Sequence, residues 1–378
     1  MKLVKGLNRC FSTIKVPLPA YDAHLIDAAT LPTETTTTSE ELISYFTEMS
    51  KMRRMEIVAD NLYKGKEIFG FCHLYDGQEA CAFGLEQALN YNDPVIAGYR
   101  THCNAYLRGI PMYGIFAEML GKKLAATKGK GGSMHFYKKA NNYYGGSGIV
   151  GDQVSVGTGL AFALKYQNNK ENVAVALYGD GAANQGQIYE SANMASVWKL
   201  PMIYICENNN YAMGTSVERS SAGGSNFHKK IYNVPGLGVN GMNVFSVREI
   251  SKFAKQFAIE NGPIVLNLRT YRYHGHSMSD PGTTYRTKEE VQAIRKQQDP
   301  ILFLKSMILE HEVLTEKEIK KIEKDVKDFI DSEVKKAKDS GPISNDTLLE
   351  HVYSEGTNMY IRAPNYEDSV FVQEKLVN

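Results

Sequence analysis

The sequence has few of the features that mark several common classes of protein. Its five cysteines are scattered and include no CxxC pair, which excludes a disulfide scaffold and a zinc ribbon and fits a reducing compartment. No apolar run approaches the roughly 20 residues that a membrane span needs. With 43 basic and 42 acidic side chains the formal charge is +1, so we expect no general affinity for nucleic acid or membranes.

What is present indicates a large folded protein. The chain has 378 residues, of which 43% are hydrophobic and 22% charged, so it can bury a sizeable core. A chain of this length forms two or three domains, or one large α/β domain with extensions. It contains 32 glycines, which suggest tight turns and close approaches of the backbone.

The first 20 residues differ from the rest in charge. They carry Lys2, Lys5, Arg9 and Lys15, and no acidic residue precedes Asp22. Arginine beside aromatic and hydroxyl residues is typical of organellar transit peptides, and the segment is too polar for a secretory signal. We therefore predict a mitochondrial transit peptide over residues 1–20. The alternative is a basic N-terminal tail without a targeting role.

Short apolar runs alternate with helical patterns in the centre of the chain. The runs Val173–Tyr178, Pro201–Cys206 and Pro263–Leu268 predict strands, and a helix between strands favours a parallel sheet covered on both faces. Helices are predicted over residues 38–65, 78–89, 112–120, 185–198 and 315–341, the first and last opened by capping boxes. The expected fold is α/β, mostly parallel, with helical N- and C-terminal extensions. We place the extensions at 21–65 and 291–378 around an α/β domain at 66–290.

Polar turns follow two of the predicted strands. Gly179-Asp180-Gly181 ends one strand, and Asn208-Asn209 ends the next. In a parallel sheet both turns lie at the carboxyl edge, where ligands bind. Carboxylate and carboxamide oxygens suit Mg²⁺, which fills its remaining positions with phosphate and water. The pattern predicts a diphosphate held through one metal ion, although such residues also favour ordinary turns.

The residues around these turns resemble the alpha subunits of the pyruvate dehydrogenase family. The similarity runs from about Thr38 to Arg286 and is less distinctive in the C-terminal third. The blocks that carry it are DGQEA (76–80), KGKGGSMH (128–135), GGSGIVG (145–151), GDGAANQGQ (179–187), ENNNYAMGTSVER (207–219) and YRYHGHSMSDPG (271–282).

This resemblance implies the thiamine diphosphate-binding fold over residues 66–290, with thiamine diphosphate and Mg²⁺ as cofactors. Its implied metal ligands are Asp180, Asn209 and the main-chain carbonyl of Tyr211. The other implied cofactor-binding residues are Tyr99, Arg100 and His276 at the diphosphate, the backbones of Gly148 and Val150 at the aminopyrimidine, and Gly181 and Ala182 beside the metal.

The resemblance also assigns a regulatory loop to residues 271–286. It implies catalytic roles for His73 and His276, whereas a lone histidine is more often a structural hydrogen-bonding group. Ser277 and Ser216 match phosphorylation positions of the family. The third such position falls on Thr284, where animal relatives have serine.

The implied activity is oxidative decarboxylation of a 2-oxo acid, with pyruvate favoured over branched-chain acids. The two-carbon unit would pass to the lipoyl domain of the dihydrolipoyl acetyltransferase, under control of a kinase and a phosphatase, in the mitochondrial matrix. The family places the glutamate that activates the cofactor on a beta subunit, so we expect half of an active site in an α₂β₂ heterotetramer. Small residues of the predicted helix 187–197 suggest a subunit interface or packing within the chain; they are Ser191, Ala192, Ala195 and Ser196.

Other classes of protein fit less well. Gly157-Thr158-Gly159 opens an Ala-rich helix and Asp180 follows about 20 residues later, which is the spacing of a Rossmann dehydrogenase. We set this aside because residues 145–156 lack a clear apolar strand. The glycine cluster at 128–133 does not have the spacing of a P-loop. A branched-chain 2-oxo acid dehydrogenase subunit and an inactive regulatory or scaffold paralogue remain alternatives.

Overall fold

A computed structural model describes residues 13–345, 347 and 350, and the backbone of two further strands. The strands are β1 Ile14–Pro17, β2 Asp22–His24, β3 Glu34–Thr37, β4 Val95–Gly98, β5 Tyr143–Ser147, β6 Ala174–Gly179, β7 Met202–Asn208, β8 Tyr211–Ala212, β9 Thr215–Ser216, β10 Gly236–Asn240, β11 Ile264–Arg269, β12 Asn358–Ile361 and β13 Val370–Gln373. The helices are α1 Ser39–Lys64, α2 Glu79–Glu86, α3 His102–Leu107, α4 Met112–Met119, α5 Asp152–Tyr166, α6 Gly186–Val197, α7 Val217–Ser220, α8 Val244–Asn261, α9 Lys288–Gln298, α10 Pro300–Glu310 and α11 Glu316–Asp339.

A seven-stranded sheet forms the centre of the molecule, in the order β2-β10-β11-β7-β6-β4-β5. Six of its strands are parallel, and β2 pairs antiparallel with β10 at one edge. The predicted fold class, α/β with a mostly parallel sheet, is confirmed.

Apolar cores cover both faces of this sheet. In β6, Val175 and Leu177 contribute to the core formed with α1, α2, α4 and α8, whereas Ala174, Ala176 and Tyr178 face the core formed with α5 and α6. Successive side chains of a strand point to opposite faces, so both faces of β6 must be apolar. This explains the uninterrupted apolar run that predicted the strand.

The helix boundaries agree closely with the capping signals. Thr38 caps α1 by accepting from the Glu41 N–H at 3.2 Å, but the Glu41 carboxylate pairs with Arg248 at 2.9 Å instead of closing the box. Thr315 and Glu318 form the complete capping box of α11. This helix ends at Asp339, just before Gly341 in the left-handed region at φ +78°.

Two predictions around residues 145–159 are wrong. The strand β5 occupies Tyr143–Ser147, where no clear apolar strand was expected, and α5 begins at Asp152 and not at the glycines 157–159. A glycine-rich sequence has low strand propensity. At Gly146, however, a Cβ atom would lie only 2.1 Å from the Met134 carbonyl oxygen, so the close approach of two backbones demands glycine here.

The two ends of the chain are described only in part. Residues 1–12 of the predicted transit peptide, and most of the predicted tail after 345, lie outside the described residues. Within residues 13–20, β1 pairs with β3 and buries Ile14 and Val16, so a leader that ended before Ile14 would leave this pairing intact. Among the described helices, none is long and apolar enough to cross a membrane.

Candidate active site

The polar turns predicted to meet do lie side by side. Strands β6 and β7 are neighbours, and their register pairs Gly179 with Glu207. Asp180 therefore follows β6 directly beside the end of β7, where Asn208 and Asn209 continue the chain. The parallel sheet brings the two motifs to its carboxyl edge.

Asp180 is a buried carboxylate without a full set of partners. The residue is 3% exposed, and its Oδ2 atom is buried with no hydrogen-bond partner. Burial raises the pKa of Asp180 to about 6, although backbone N–H groups and the charges of Arg272 and Arg100 act in the opposite direction. A buried oxygen of this kind needs a proton or a cation.

Asn209 is oriented by a neighbour that sequence reasoning did not identify. Its Nδ2 donates to Gln78 Oε1 at 3.0 Å, which assigns the other atom as the oxygen Oδ1, and Oδ1 accepts a long hydrogen bond from the Tyr211 N–H at 3.4 Å. Tyr211 follows two residues later in the short strand β8.

No group of three or more His, Cys, Asp or Glu side chains suited to a metal occurs in the described part of the chain. The predicted site thus combines one carboxylate with amide and carbonyl oxygens, a donor set that suits Mg²⁺ completed by phosphate and water.

These residues border a cavity of about 340 Å³ at the sheet edge. Most of the predicted cofactor-binding set lines it, namely Tyr99, Arg100, Val150, Asp180, Gly181, Ala182, Asn209, Tyr211 and His276. Gly148 is not among the lining residues, but it lies in the segment between two that are, Ser147 and Val150. His73 is also not among the lining residues, but its ring centroid lies 4.3 Å from that of Tyr99, which is.

Two glycines, one in the cavity wall and one beside it, lie where a side chain would not fit. A Cβ atom on Gly181 would lie 2.9 Å from the Cβ of Ala212, and one on Gly148 would lie 3.1 Å from Cε1 of His135. Both distances are shorter than ordinary contacts, so a side chain at either position would displace the wall. Gly181 therefore leaves the backbone accessible at the cavity, and Gly148 lets the segment after Ser147 pass close to His135.

Arg100 supplies positive charge to the cavity while it ties two segments together. Its guanidinium donates to the Leu74 carbonyl and, at 2.8 Å, to the His276 carbonyl. The residue is 8% exposed. A guanidinium bonded only to neutral carbonyls keeps its full charge available to an anion.

Three aromatic rings form a compact group beside Arg100. The His73 ring centroid lies 4.3 Å from that of Tyr99 and 5.2 Å from that of His276. Burial, followed by the charge of Arg100, lowers the pKa of His73 to about 2 and that of His276 to about 4. Both imidazoles are therefore neutral at physiological pH in the absence of a bound anion.

Glu207 is the second residue that sequence reasoning missed. It is a carboxyl group in strand β7 directly after the apolar run Met202–Cys206, it lines the cavity, and it accepts a hydrogen bond from the Tyr75 hydroxyl. Burial raises its pKa to about 7, against the effect of the Tyr75 bond. A charged residue at the end of an apolar strand is the signal that could have identified it.

Two of the predicted phosphorylation positions, Ser277 and Thr284, lie in the regulatory loop, and the third, Ser216, is the last residue of β9. Ser277 is 6% exposed in the regulatory loop, the segment 271–286, and its Oγ lies 2.9 Å from Ser279 Oγ. Asp280 shapes this loop by accepting from the N–H groups of His276 at 2.6 Å and Gly282 at 2.9 Å. Ser216 caps α7, and Thr284 is exposed.

Comparison with known proteins places the chain in a family. The model of the dehydrogenase E1 component family matches residues 47–344, and the chain belongs to this family. It is 51% identical over 344 residues to pyruvate dehydrogenase E1 component subunit alpha-1, mitochondrial, of Arabidopsis thaliana, covering 91% of this chain and 87% of the relative. It is 52% identical over 318 residues to the mitochondrial alpha subunit of Dictyostelium discoideum, covering 84% and 82%. The testis-specific alpha subunit of Rattus norvegicus is 49% identical over 332 residues, covering 88% and 84%. The family predicted from the motifs is confirmed.

Proposed function

We propose that this chain is the alpha subunit of a mitochondrial pyruvate dehydrogenase. The enzyme decarboxylates pyruvate oxidatively with thiamine diphosphate and Mg²⁺, and transfers the acetyl unit to the lipoyl group of the acyltransferase component. The observation that carries the proposal is the unpartnered carboxylate oxygen of Asp180 in a cavity also lined by Asn209 and Arg100. The names of the relatives support pyruvate as the substrate and the mitochondrion as the location.

The cavity offers suitable partners for each part of the cofactor. Asp180, the Asn209 amide oxygen and the Tyr211 carbonyl would hold Mg²⁺, with phosphate oxygens and water completing the shell. At the diphosphate the partners would be Arg100, Tyr99 and His276. The backbones of Gly148 and Val150 would meet the aminopyrimidine, with Gly181 and Ala182 beside the metal.

The bound cofactor supplies an electron sink for the loss of carbon dioxide from a 2-oxo acid. The residues of this chain contribute positioning and proton transfer. Neutral His73 and His276 can accept or donate a proton near the reacting centre, and a diphosphate on Arg100 would offset a charge that lowers their pKa values. Which histidine serves which step stays a prediction.

The activating carboxylate comes from a beta subunit in an α₂β₂ heterotetramer. Among the described residues that line the cavity, the carboxyl groups are those of Asp180 and Glu207, both on the β6–β7 side. Glu207 is bonded to Tyr75, and neither group belongs to the Gly148–Val150 segment that would face the aminopyrimidine. This distribution supports a site that a second chain completes.

The aromatic patch, formed by Phe162, Tyr166 and Trp198, is a surface suited to that partner. The Phe162 ring lies 5.5 Å from Trp198 and 6.3 Å from Tyr166, and all three side chains are exposed. Exposed aromatic clusters mark interaction surfaces. Ser191, Ala192 and Ala195 of α6 are instead buried within the chain, where Ser191 Oγ lies 3.0 Å from Ser155 Oγ. We therefore assign the subunit contact to the aromatic patch and not to the small residues.

Regulation would act on the loop beside the cavity. A kinase and a phosphatase would act at Ser277, Ser216 and Thr284. A phosphate on Ser277 adds a charge of about −1.5 to −2 in a loop that already contains Asp280, which opposes loop closure near a bound diphosphate.

The proposal is tested by measuring cofactor binding and substrate kinetics with the tetramer reconstituted from this chain and its beta subunit. Calorimetric titration should show binding of thiamine diphosphate that depends on Mg²⁺ and no binding of NAD to this chain. The kcat/KM for pyruvate should exceed that for 2-oxoisovalerate, which a branched-chain enzyme would prefer. Absence of cofactor binding would instead indicate an inactive paralogue and would refute the proposal.

A further inference from the structure

His274 is part of the regulatory loop but has no role in the proposed chemistry. Its ring lies between two carboxylates of other elements: Nδ1 is 2.7 Å from Asp76 Oδ2, and Nε2 is 4.0 Å from Asp60 Oδ2. Asp76 lies in the turn before α2, and Asp60 belongs to α1. The side chain thus joins the loop to two separate parts of the body of the protein.

Both carboxylates are buried and incompletely hydrogen-bonded, although the charges of Arg53 and Arg100 also act on Asp76. Asp76 is 3% and Asp60 is 7% exposed, and each has a second oxygen, Oδ1, that is buried without a hydrogen-bond partner. Lys64 also pairs with Asp60, at 2.7 Å, but its side chain is 65% exposed. The position between the two acids therefore favours a second cation, and His274 occupies it.

The charges around His274 favour its protonated form. Burial disfavours that form, but the hydrogen bond and charge of Asp76, together with the charge of Asp60, outweigh burial and raise the pKa of His274 above its usual 6.5. The charge of Lys64 acts in the opposite direction. Within the loop, Arg272 and Arg286 contact His274 through its carbonyl oxygen.

The backbone of the loop connects His274 to His276. The His276 N–H donates to Asp280 at 2.6 Å and its carbonyl accepts from Arg100 at 2.8 Å. Gly275 lies between His274 and His276, and a Cβ atom on it would lie 1.9 Å from the Asp280 carbonyl oxygen. The chain is therefore tightly folded here. Displacement of the His274 ring would therefore move the segment that holds His276.

We propose that His274 is a positioning residue: held between Asp76 and Asp60, it keeps the regulatory loop closed and thereby keeps His276 at the cofactor cavity. The role of His276 in this inference rests on the proposed function, whereas loop closure rests on geometry alone.

The direction of the pH effect follows from the charges. His274 stabilises the closed loop fully below the ordinary histidine pKa, and this stabilisation is lost as pH rises through its raised pKa in the closed state. Asp76 has a lowered pKa and stays ionised over this range. His276 and His73 have pKa values of about 4 and 2, so they titrate well below it.

Tryptic cleavage of the loop in the full tetramer tests closure directly. Arg272 and Arg286 are buried when the loop is closed, so cleavage after either reports its opening. Rates would be measured by mass spectrometry from pH 6 to 9 and normalised to cleavage of a free peptide of residues 271–288. For the wild type we expect cleavage to rise roughly tenfold with pH, since a charged hydrogen bond has that much effect on an equilibrium.

Three variants separate this role from general stability. His274→Asn should be cleaved rapidly at every pH, with no titration, and should lose decarboxylation through kcat. Asp60→Asn preserves the shape of the side chain and should move the midpoint of the pH-dependent cleavage to lower pH. His311→Asn, at an exposed histidine after α10, is the matched control and should behave as the wild type.

Wild-type cleavage rates in His274→Asn would overturn the inference. If that variant fails to assemble, an unchanged midpoint in Asp60→Asn would overturn it. A wild-type tetramer without pyruvate activity would refute the proposed function, while the cleavage profile would still decide the role of His274.

Discussion

Replacing Asp180 by asparagine should separate cofactor binding from stability. The variant keeps the shape of the side chain but removes the only carboxylate among the three proposed metal ligands. We expect the affinity for thiamine diphosphate with Mg²⁺ to fall by at least about 100-fold, since even residues that merely support metal ligands contribute about 10- to 100-fold.

The same change should stabilise the metal-free protein. The pKa of buried Asp180 rises from 3.8 to about 6, and at pH 7 this corresponds to about 3 kcal/mol of destabilisation by the ionised group. The penalty develops as pH rises from about 4 to 6 and is complete above that range. Asparagine avoids it, so the unfolding temperature in chelator should increase by a few degrees at pH 7 and not at pH 4.

The assay combines calorimetric titration of the cofactor with thermal unfolding of the metal-free tetramer. Asp325→Asn, at an exposed position of α11, is the control and should change neither quantity. Unchanged cofactor affinity in Asp180→Asn would refute the assigned ligand. Lower stability in chelator would refute the reasoning about its burial.

Three other changes test separate parts of the account. Glu207→Gln should leave tetramer activity within about tenfold, because glutamine can still accept from Tyr75; a loss near 1,000-fold would make Glu207 the activating carboxylate. Trp198→Glu should prevent association with the beta subunit in sedimentation, whereas Tyr232→Glu, at another exposed aromatic residue, should not. Ser277→Glu should abolish decarboxylation, whereas Ser277→Ala should retain it, and equal activities would contradict the regulatory role.

The sequence predicted the centre of the fold because its signals there are local. The apolar runs of β6, β7 and β11 identify buried parallel strands, and the caps at Thr38 and Thr315 mark where α1 and α11 begin. The carboxyl ends of parallel strands lie at one edge, which was sufficient to bring Asp180 and Asn209 together.

The remaining features depend on contacts between distant segments. Strand β5 is glycine-rich because the Met134 backbone approaches Gly146, a requirement that strand propensity does not express. Gln78 is 131 residues from Asn209, which it orients, and Asp76 is 198 residues from His274. Such pairs arise only when the sheet edge and the regulatory loop are assembled, so no spacing in the sequence indicates them.

Release of carbon dioxide from pyruvate is the most direct test of the central claim. The chain would be assayed alone and with its beta subunit, with and without thiamine diphosphate and Mg²⁺. We predict release only when both subunits and both cofactors are present. Release by this chain alone, or none from the complete mixture, would contradict the account.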